Sequence, residues 1–357
     1  MRKARLKAPP SAEVAYYHCV SRVVNREFVF GPAEKDRFVQ LMRIYERFSM
    51  LRVISYCVMS NHFHILVEVP KRPAAENLPD DPSLVSHVRS SLGDKPADAL
   101  AWELEHLRSI GGNQAAEQLR ERWFARMWDI SPFMKTLKQR FTQWFNRRHE
   151  PCGTLWEDRF RSVLVQGQAL KTIAAYIDLN PVRANICEDP KDYRWCSYAD
   201  AVAGGKPARQ ALSWIVSLSG HGGQKSDAPS SPIEALQRWR CLLFGLPESD
   251  KAQAEERAKG PHGADIFRKR ISREKALEVL ANGGRLPETD YLRCRIRYFT
   301  DGAAIGTRDF IEEIFSSSRS WFSKDRKTGA RPLRGLEVAK RPSRLYNLRQ
   351  LQKGVFG

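Results

Sequence analysis

The most constraining feature of the sequence is a pair of histidines inside a run that is suited only to a β-strand. Residues 55–70 read SYCVMSNHFHILVEVP, with a turn at Ser60 and Asn61. Side chains alternate between the two faces of a strand, so His62 and His64 share one face and the apolar residues share the other. The apolar face belongs in a core, which leaves two imidazoles side by side on the more open face. Neutral imidazoles so placed can bind a metal ion; two surface histidines on an amphipathic strand are the alternative.

A second segment changes the balance between these two interpretations. Residues 153–186 read GTLWEDRFRSVLVQGQALKTIAAYIDLNPVRANI. Together the two segments resemble the single-tyrosine HUH transposases, or IS200-like transposases, and most closely their REP-associated branch. The resemblance implies that the two histidines hold a divalent cation on a central strand. It also implies a nucleophilic tyrosine on a later helix, with an amide ligand four residues on, which here are Tyr176 and Asn180.

The resemblance also implies a reaction and a cofactor. Attack of a tyrosine oxygen on phosphorus forms a 5′-phosphotyrosine and releases a 3′-hydroxyl, and the strand can later be rejoined. A divalent cation held by His62, His64 and Asn180 would polarise the scissile phosphate. The family implies Mg²⁺ or Mn²⁺. The predicted function is therefore a single-stranded DNA transposase or nickase that binds a DNA hairpin derived from a repeat.

Two departures from the family pattern keep an alternative open. Many relatives have a tyrosine, a rival nucleophile, at the position of Phe160, and phenylalanine has no hydroxyl group. Asn180 stands where the transposases of insertion sequences tend to have the longer glutamine. The alternative is therefore a catalytically inactive, hairpin-binding protein derived from such a transposase. A replication-initiator or relaxase nickase, which shares the two-histidine pattern, is a third option.

The position of the tyrosine can be argued from helical spacing alone. Apolar residues recur at helical spacing across residues 168–179, and Tyr176 and Asn180 lie beside each other at the edge of that stripe. Pro181 is expected to end the helix and to bias Asn180 away from helical angles. A half-buried structural tyrosine is the alternative for Tyr176. His18, in the first predicted strand, has a packed role as its alternative to metal binding.

The order of predicted elements indicates the fold class. A strand, a helix, a strand hairpin, a helix opened by Ser131 as N-cap, a strand and a helix follow one another. They are expected at residues 14–24, 32–48, 53–70, 131–148, 160–166 and 168–179. This order predicts an α+β fold with a ferredoxin-like antiparallel sheet and helices on one face only.

The rest of the chain predicts further units around this domain. We expect residues 1–200 to form the HUH transposase-like domain, with a helical insertion at about residues 72–128. Residues 201–232, rich in glycine, serine and proline, predict a linker or loose loops. Residues 233–357 predict a basic, mostly helical region with short helices at 233–244, 273–280 and 307–315. A helix-turn-helix within it and a basic tail from Arg319 favour DNA binding, though an ordinary small helical domain fits equally.

Charge and composition indicate the partner. The formal net charge is +18 and the pI is about 9.8, which favours nucleic acid. No apolar run is long enough to span a membrane, and seven scattered cysteines without a Cys-x-x-Cys pair fit a reducing cytoplasm. Whether two chains form a homodimer is left open. The predicted DNA-binding residues are Lys135, Lys138, Arg147, Arg148, Arg159, Arg161 and Arg183.

Overall fold

A mixed β-sheet organises the part of the chain described by the computed structural model, which covers residues 6–9, 11–149, 153–167, 169–218, 229–244, 292, 297–333 and 345–349. The strands across these ranges are β1 (Val14–Arg22), β2 (Arg52–Val58), β3 (His62–Pro70), β4 (Arg161–Val165), β5 (Ala304–Gly306), β6 (Arg331–Pro332) and β7 (Tyr346–Leu348). Their spatial order is β2-β3-β1-β4-β5-β7-β6. Neighbouring strands are antiparallel except β4 and β5, which are parallel.

The helices lie between and around these strands. In the same described ranges they are α1 (Pro32–Phe48), α2 (Asp81–Leu92), α3 (Asp94–Ser109), α4 (Asn113–Phe124), α5 (Ile130–Arg148), α6 (Ala169–Asp178), α7 (Asn180–Arg183), α8 (Ser197–Val202), α9 (Lys206–Ser217), α10 (Pro232–Phe244), α11 (Arg297–Asp301) and α12 (Arg308–Ser317). None of them is long and apolar enough to cross a membrane.

The predicted α+β class is confirmed. Strands β1 to β4 have the order β2-β3-β1-β4, and α1 and α5 connect them as in a ferredoxin-like unit. Helices α1 and α5 pack on the face that carries Phe63, Ile65 and Val67, as the alternation along β3 predicts. The apolar face of the histidine-bearing strand therefore supports the main core.

The opposite face of the sheet differs from the expectation that it is open. A second core covers it, formed by α6, α8, α9 and α10 against β2, β3 and β4. Leu66 of β3 and Val163 of β4 meet the apolar stripe of α6, which includes Ile173 and Ile177. The physical reason is that α6 is apolar on most of its surface, so it must pack against a sheet. The histidines therefore lie under a helical layer instead of facing solvent.

Helix α5 begins at Ile130, one residue earlier than expected. Its N-cap is Asp129, whose side chain accepts a hydrogen bond from the Ser131 backbone N–H at 2.7 Å. Ser131 was the predicted cap, but an aspartate immediately before Ile130 satisfies the first free amide groups equally well. The negative charge of the carboxylate also interacts favourably with the positive end of the helix dipole.

The helical insertion expected at about residues 72–128 consists of three helices, α2 to α4. Its aromatic residues mostly attach it to the domain: Trp123 packs edge-on against Phe48, with ring centres 5.9 Å apart, and the Phe124 side chain is buried. Trp102 is the exception, because 68 % of it is exposed. Packing of the insertion is therefore the main role of these aromatic residues.

The C-terminal part of the chain differs from the expected separate helical unit. Helix α9 occupies part of the expected linker and begins directly after Gly205. It forms there because an apolar stripe that includes Leu212 and Ile215 packs in the second core. Strand β5 separates α11 from α12, so the expected helix-turn-helix is absent from residues 297–317. Strands β6 and β7 lie within the expected tail and join the sheet through β5. The helix expected at 273–280 lies outside the described residues.

Candidate active site

Three histidines meet on adjacent strands of the sheet. In the antiparallel register of β1 and β3, Val20 faces His64 and Arg22 faces His62. His18, two residues before Val20, therefore projects from the same face as the predicted pair. The ring centres of His62 and His64 are 5.2 Å apart, and those of His18 and His64 are 5.1 Å apart. The sheet thus adds a third imidazole to the two that the sequence predicts.

A chain of hydrogen bonds fixes the protonation of His64. The Phe299 carbonyl oxygen lies 2.7 Å from Nδ1 of His18, and a carbonyl only accepts, so Nδ1 of His18 carries the proton. In a neutral ring the other nitrogen, Nε2, then accepts, and it lies 2.9 Å from Nδ1 of His64. His64 therefore donates from Nδ1. The lone pair of neutral His64 is consequently on Nε2, as metal binding requires.

Burial keeps both of these histidines neutral. The pKa of His18 is lowered to about 4, chiefly because burial penalises the charged ring. The pKa of His64 is lowered well below its usual value of 6.5, first by burial and then by the positive charges of His18 and His62. Neutral imidazole is the form that binds a metal ion. His64 is therefore in its metal-binding form at neutral pH, and His18 is neutral beside it.

The second predicted ligand, His62, is oriented in the same way by Asn61. The amide nitrogen of Asn61 donates to the Arg26 carbonyl oxygen at 2.8 Å, which turns its Oδ1 toward His62. That oxygen lies 2.7 Å from Nδ1 of His62 and accepts the proton there. In neutral His62 the lone pair is then on Nε2. Both histidines on β3 thus have the same tautomer, set by two different partners.

Tyr176 lies next to these histidines but is covered. It projects from α6, and its ring centre is 6.2 Å from that of His64 and 6.4 Å from that of His18. Only 3 % of the residue is exposed. The Phe299 ring packs edge-on at 5.0 Å, and the Arg183 guanidinium lies 3.7 Å from the centre of the tyrosine ring. Attack on DNA by this hydroxyl therefore requires movement of the covering residues.

Asn180 is buried, and its amide nitrogen has no hydrogen-bond partner among the described residues. Pro181 does not release Asn180 from helical angles as expected. A new helical turn, α7, begins at Asn180, and Pro181 fits there because the first turn of a helix needs no N–H from it. Rotating the amide by 180° places its oxygen, a metal ligand, where the unpartnered nitrogen lies.

The residue set fits a divalent cation in its chemistry. His62 and His64 offer lone pairs on Nε2, and Asn180 has an unsatisfied buried amide. In the described ranges, no group of three His, Cys, Asp or Glu side chains is arranged to hold a metal ion. An amide is outside that group of residue types, so the set of two imidazoles and one amide remains a prediction.

The predicted DNA-binding residues fall into three places. The four on α5 lie on the face opposite the histidines, where Lys138 donates to the Asp158 carbonyl oxygen at 2.7 Å. Arg159 and Arg161 lie at the start of β4, beside the histidines, and Arg161 pairs with Asp301 at 3.1 Å. Arg183 donates to the Tyr176 and Leu292 carbonyl oxygens. DNA binding by all seven residues remains a prediction.

Phe160 lies apart from the site, and two residues that do belong to it, Asn61 and Phe299, escape sequence reasoning. Phe160, the position of the rival tyrosine, is buried in the main core, on the side of the sheet away from Tyr176. Asn61 could have been identified from its place next to His62 in the hairpin turn. Phe299 contacts His18 through its backbone carbonyl and is 281 residues away from it in the sequence. No local sequence pattern predicts that contact.

Comparison with known proteins supports the resemblance described above. The sequence model of the family "Transposase IS200 like" matches residues 11–78, which include His18, His62 and His64. No curated protein matches the chain. A solved structure of a REP-associated tyrosine transposase bound to a REP hairpin is similar, with a TM-score of 0.37 and 13 % identity over 64 % of this chain and 97 % of that one. The resemblance to IS200-like transposases is confirmed across residues 11–78.

Proposed function

Starting from the match of residues 11–78 to IS200-like transposases, we propose that this chain binds a DNA hairpin and cleaves and rejoins the single strand beside it through Tyr176. The observation that carries the proposal is the common tautomer of His62 and His64. Two unrelated partners, His18 and Asn61, accept the Nδ1 protons of His64 and His62, so the lone pair of each neutral ring is on Nε2. Two surface histidines with only a structural role have no need of such an arrangement.

The reaction is a transesterification at phosphorus. The Tyr176 oxygen loses its proton and forms a bond to the phosphorus, and the bond from phosphorus to the 3′ oxygen of the preceding nucleotide breaks. The departing oxygen takes up a proton and becomes a 3′-hydroxyl. The reverse attack by a 3′-hydroxyl releases Tyr176 and rejoins a strand, so the energy of the phosphodiester is kept in the tyrosine linkage.

Mg²⁺ or Mn²⁺, when bound by His62, His64 and Asn180, supplies Lewis-acid stabilisation of the charge that develops on the phosphate. The protein residues orient the reacting groups around it. Burial keeps His64 neutral, and its hydrogen bond to His18 places the lone pair of His64 on Nε2.

A hairpin-binding protein without cleavage activity is the second candidate. The observation that favours it is the burial of Tyr176 beneath Phe299 and Arg183. The same fold and basic charge serve hairpin binding without any attack on phosphorus. In this case the histidine arrangement is retained from an active ancestor.

Replacing the histidines separates the two candidates. We expect His62→Ala and His64→Ala each to abolish metal-dependent cleavage of a hairpin with a single-stranded flank, and to leave hairpin affinity within a few-fold. His106→Ala is the matched control, because His106 is an exposed histidine on α3. Cleavage is followed on denaturing gels and affinity by fluorescence anisotropy. Undiminished cleavage in both variants contradicts the metal site, and tight binding without cleavage by the wild type supports the second candidate.

A further inference from the structure

A polar cleft of about 370 Å³ lies where the pairing of β1 with β4 ends, and Arg22 and Arg161 are among its lining residues. Strands β1 and β4 pair as far as Val20 and Arg161, and the pairing resumes only at Val23 and Trp156. Four residues of one chain segment, 157–160, thus face two of the other, and the extra length bulges away from the sheet. The ladder of hydrogen bonds is interrupted at this point, and the cleft occupies the gap.

Four arginines line this cleft: Arg22, Arg26, Arg159 and Arg161. Arg22 lies directly opposite His62 in the register of β1 and β3, so its side chain begins about 5 Å from that of His62 on the same face. Its positive charge also contributes to the lowered pKa of His64. Arg22 therefore lines the cleft and also neighbours His62 of the proposed site.

The acidic residues of the cleft are fewer than its arginines. Glu157, Asp158 and Asp301 also line it. Asp301 pairs with Arg161, but both side chains are more than a third exposed, and an exposed pair contributes little. Asp158 accepts a hydrogen bond from the backbone N–H of Arg159. A phosphate oxygen can therefore replace Asp301 at Arg161 at small cost.

A buried hydroxyl marks the same cleft. Ser21 lines it and is only 4 % exposed, and its Oγ has no hydrogen-bond partner among the described residues. A buried hydroxyl without a partner costs free energy of roughly 1–3 kcal/mol. A ligand that accepts hydrogen bonds removes this cost.

An exposed aromatic side chain lies close to the cleft in sequence. Phe28 is 82 % exposed, and it follows Arg26 by two residues. Asn25 and Arg26 both have positive φ values, 54° and 60°, a conformation that costs free energy and needs external support. Asn61 supplies that support through its hydrogen bond to the Arg26 carbonyl oxygen. The loop that presents Phe28 is therefore held against the histidine hairpin.

We propose that this cleft binds one phosphodiester of the single strand that flanks the hairpin, and that Phe28 stacks on an adjacent base. The assignment rests on the proposed function, since it places the flank next to the scissile phosphate. Arginines recognise phosphate through paired N–H groups, and stacking on an aromatic ring is the usual way of binding an unpaired base without sequence preference. A paired stem has no unstacked base for Phe28, so the cleft distinguishes the flank from the hairpin.

The experiment compares two DNA probes, a blunt hairpin and the same hairpin with a single-stranded flank. Their affinities for the full chain are measured across a salt series. The variants are Arg26→Ala and Arg159→Ala, both at exposed positions, and Phe28→Ala. Arg122→Ala and Ile233→Ala are the matched controls, because they remove an exposed cation and an exposed apolar side chain away from the cleft. Thermal melting checks that each variant is folded.

We expect each arginine variant to bind the flanked hairpin several-fold more weakly, with a salt slope smaller by about 0.7. Phe28→Ala is expected to lose about 5-fold to more than 100-fold in affinity for the flanked probe, with the salt slope unchanged. The blunt hairpin is expected to bind all variants within two-fold of wild type. Equal losses for both probes, or no loss for either, overturn the cleft assignment while DNA binding stands. Failure of the wild type to bind either probe overturns the proposed function as well.

Discussion

The carbonyl oxygen of Phe299 accepts a hydrogen bond from Nδ1 of His18 at 2.7 Å. This contact joins the C-terminal part of the chain to the first strand of the sheet. Through His18 it determines which nitrogen of His64 carries a proton. The same residue covers Tyr176 with its ring. A region that the sequence suggests as a separate binding unit is therefore part of the candidate active site.

The first prediction concerns His18 as a positioning residue. In His18→Ala the Nδ1 proton of His64 loses its acceptor, and both tautomers become accessible. We expect the affinity for Mn²⁺ to fall about 10- to 100-fold, as when other indirect partners of a metal ligand are removed. Calorimetric titration with Mn²⁺ measures the change.

The matched control for this prediction is His87→Ala. His87 also makes a hydrogen bond to a backbone carbonyl, that of Phe48, but it lies on α2 of the insertion. His18→Gln keeps an acceptor and is expected to recover part of the affinity. Equal Mn²⁺ affinities in His18→Ala and wild type contradict the positioning role.

The second prediction concerns the cover over Tyr176. Phe299→Leu keeps the backbone carbonyl that orients His18 but removes the aromatic ring packed on the tyrosine. We expect faster formation of the tyrosine–DNA linkage, because the hydroxyl needs less rearrangement to reach DNA. Single-turnover rates at saturating hairpin measure this step.

The control for the cover is Phe315→Leu, since Phe315 is a buried aromatic residue of α12 away from the tyrosine. A comparable loss of stability is expected without faster linkage. If the two variants have the same linkage rate as wild type, the ring of Phe299 is no barrier to the reaction.

The third prediction concerns the pH dependence of stability. Asp178 is fully buried and accepts hydrogen bonds from Ser197, Trp239 and the backbone of Tyr198. Burial raises its pKa from 3.8 to about 7. The folded protein therefore keeps this proton over a range in which the unfolded chain has released it. The stabilisation is complete below about pH 4 and is lost as pH rises toward 7, relative to a chain without this group.

Urea unfolding of wild type and Asp178→Asn measures this effect. The free energy of unfolding of wild type, compared with that of the variant, is expected to fall by about 2–3 kcal/mol between about pH 5 and about pH 8. Asp98→Asn serves as the control, because Asp98 is an exposed carboxylate on α3. Parallel pH profiles for wild type and Asp178→Asn contradict the raised pKa.

Local pattern predicts much of the fold and part of the candidate site. The alternation along β3 correctly places Phe63 and Ile65 on the face opposite His64, because successive side chains of a strand point to opposite faces. Helix α1 begins and ends where its apolar spacing indicates, at Pro32 and Phe48. These are properties of neighbouring residues, which sequence displays directly.

Long-range contacts explain what local pattern does not predict. The cover of the histidine face depends on how α6 and α9 pack, and the parallel pairing of β4 with β5 joins segments about 140 residues apart. The short strand Ala304–Gly306 has too few residues to show alternation. The role of Phe299 depends on a backbone oxygen, which is the same in every residue type. Such contacts are set by tertiary packing.

Formation of a covalent protein–DNA linkage tests directly whether Tyr176 attacks DNA. The wild type and Tyr176→Phe are incubated with Mn²⁺ and a flanked hairpin labelled on the 3′ side of the cleavage point, and the products are separated under denaturing conditions. Tyr193→Phe is the control, because Tyr193 is also buried and its hydroxyl donates to the Val58 carbonyl oxygen. We predict a linked band in wild type and Tyr193→Phe and none in Tyr176→Phe. A linked band of equal intensity in Tyr176→Phe, or none in wild type that has bound the hairpin, would contradict it.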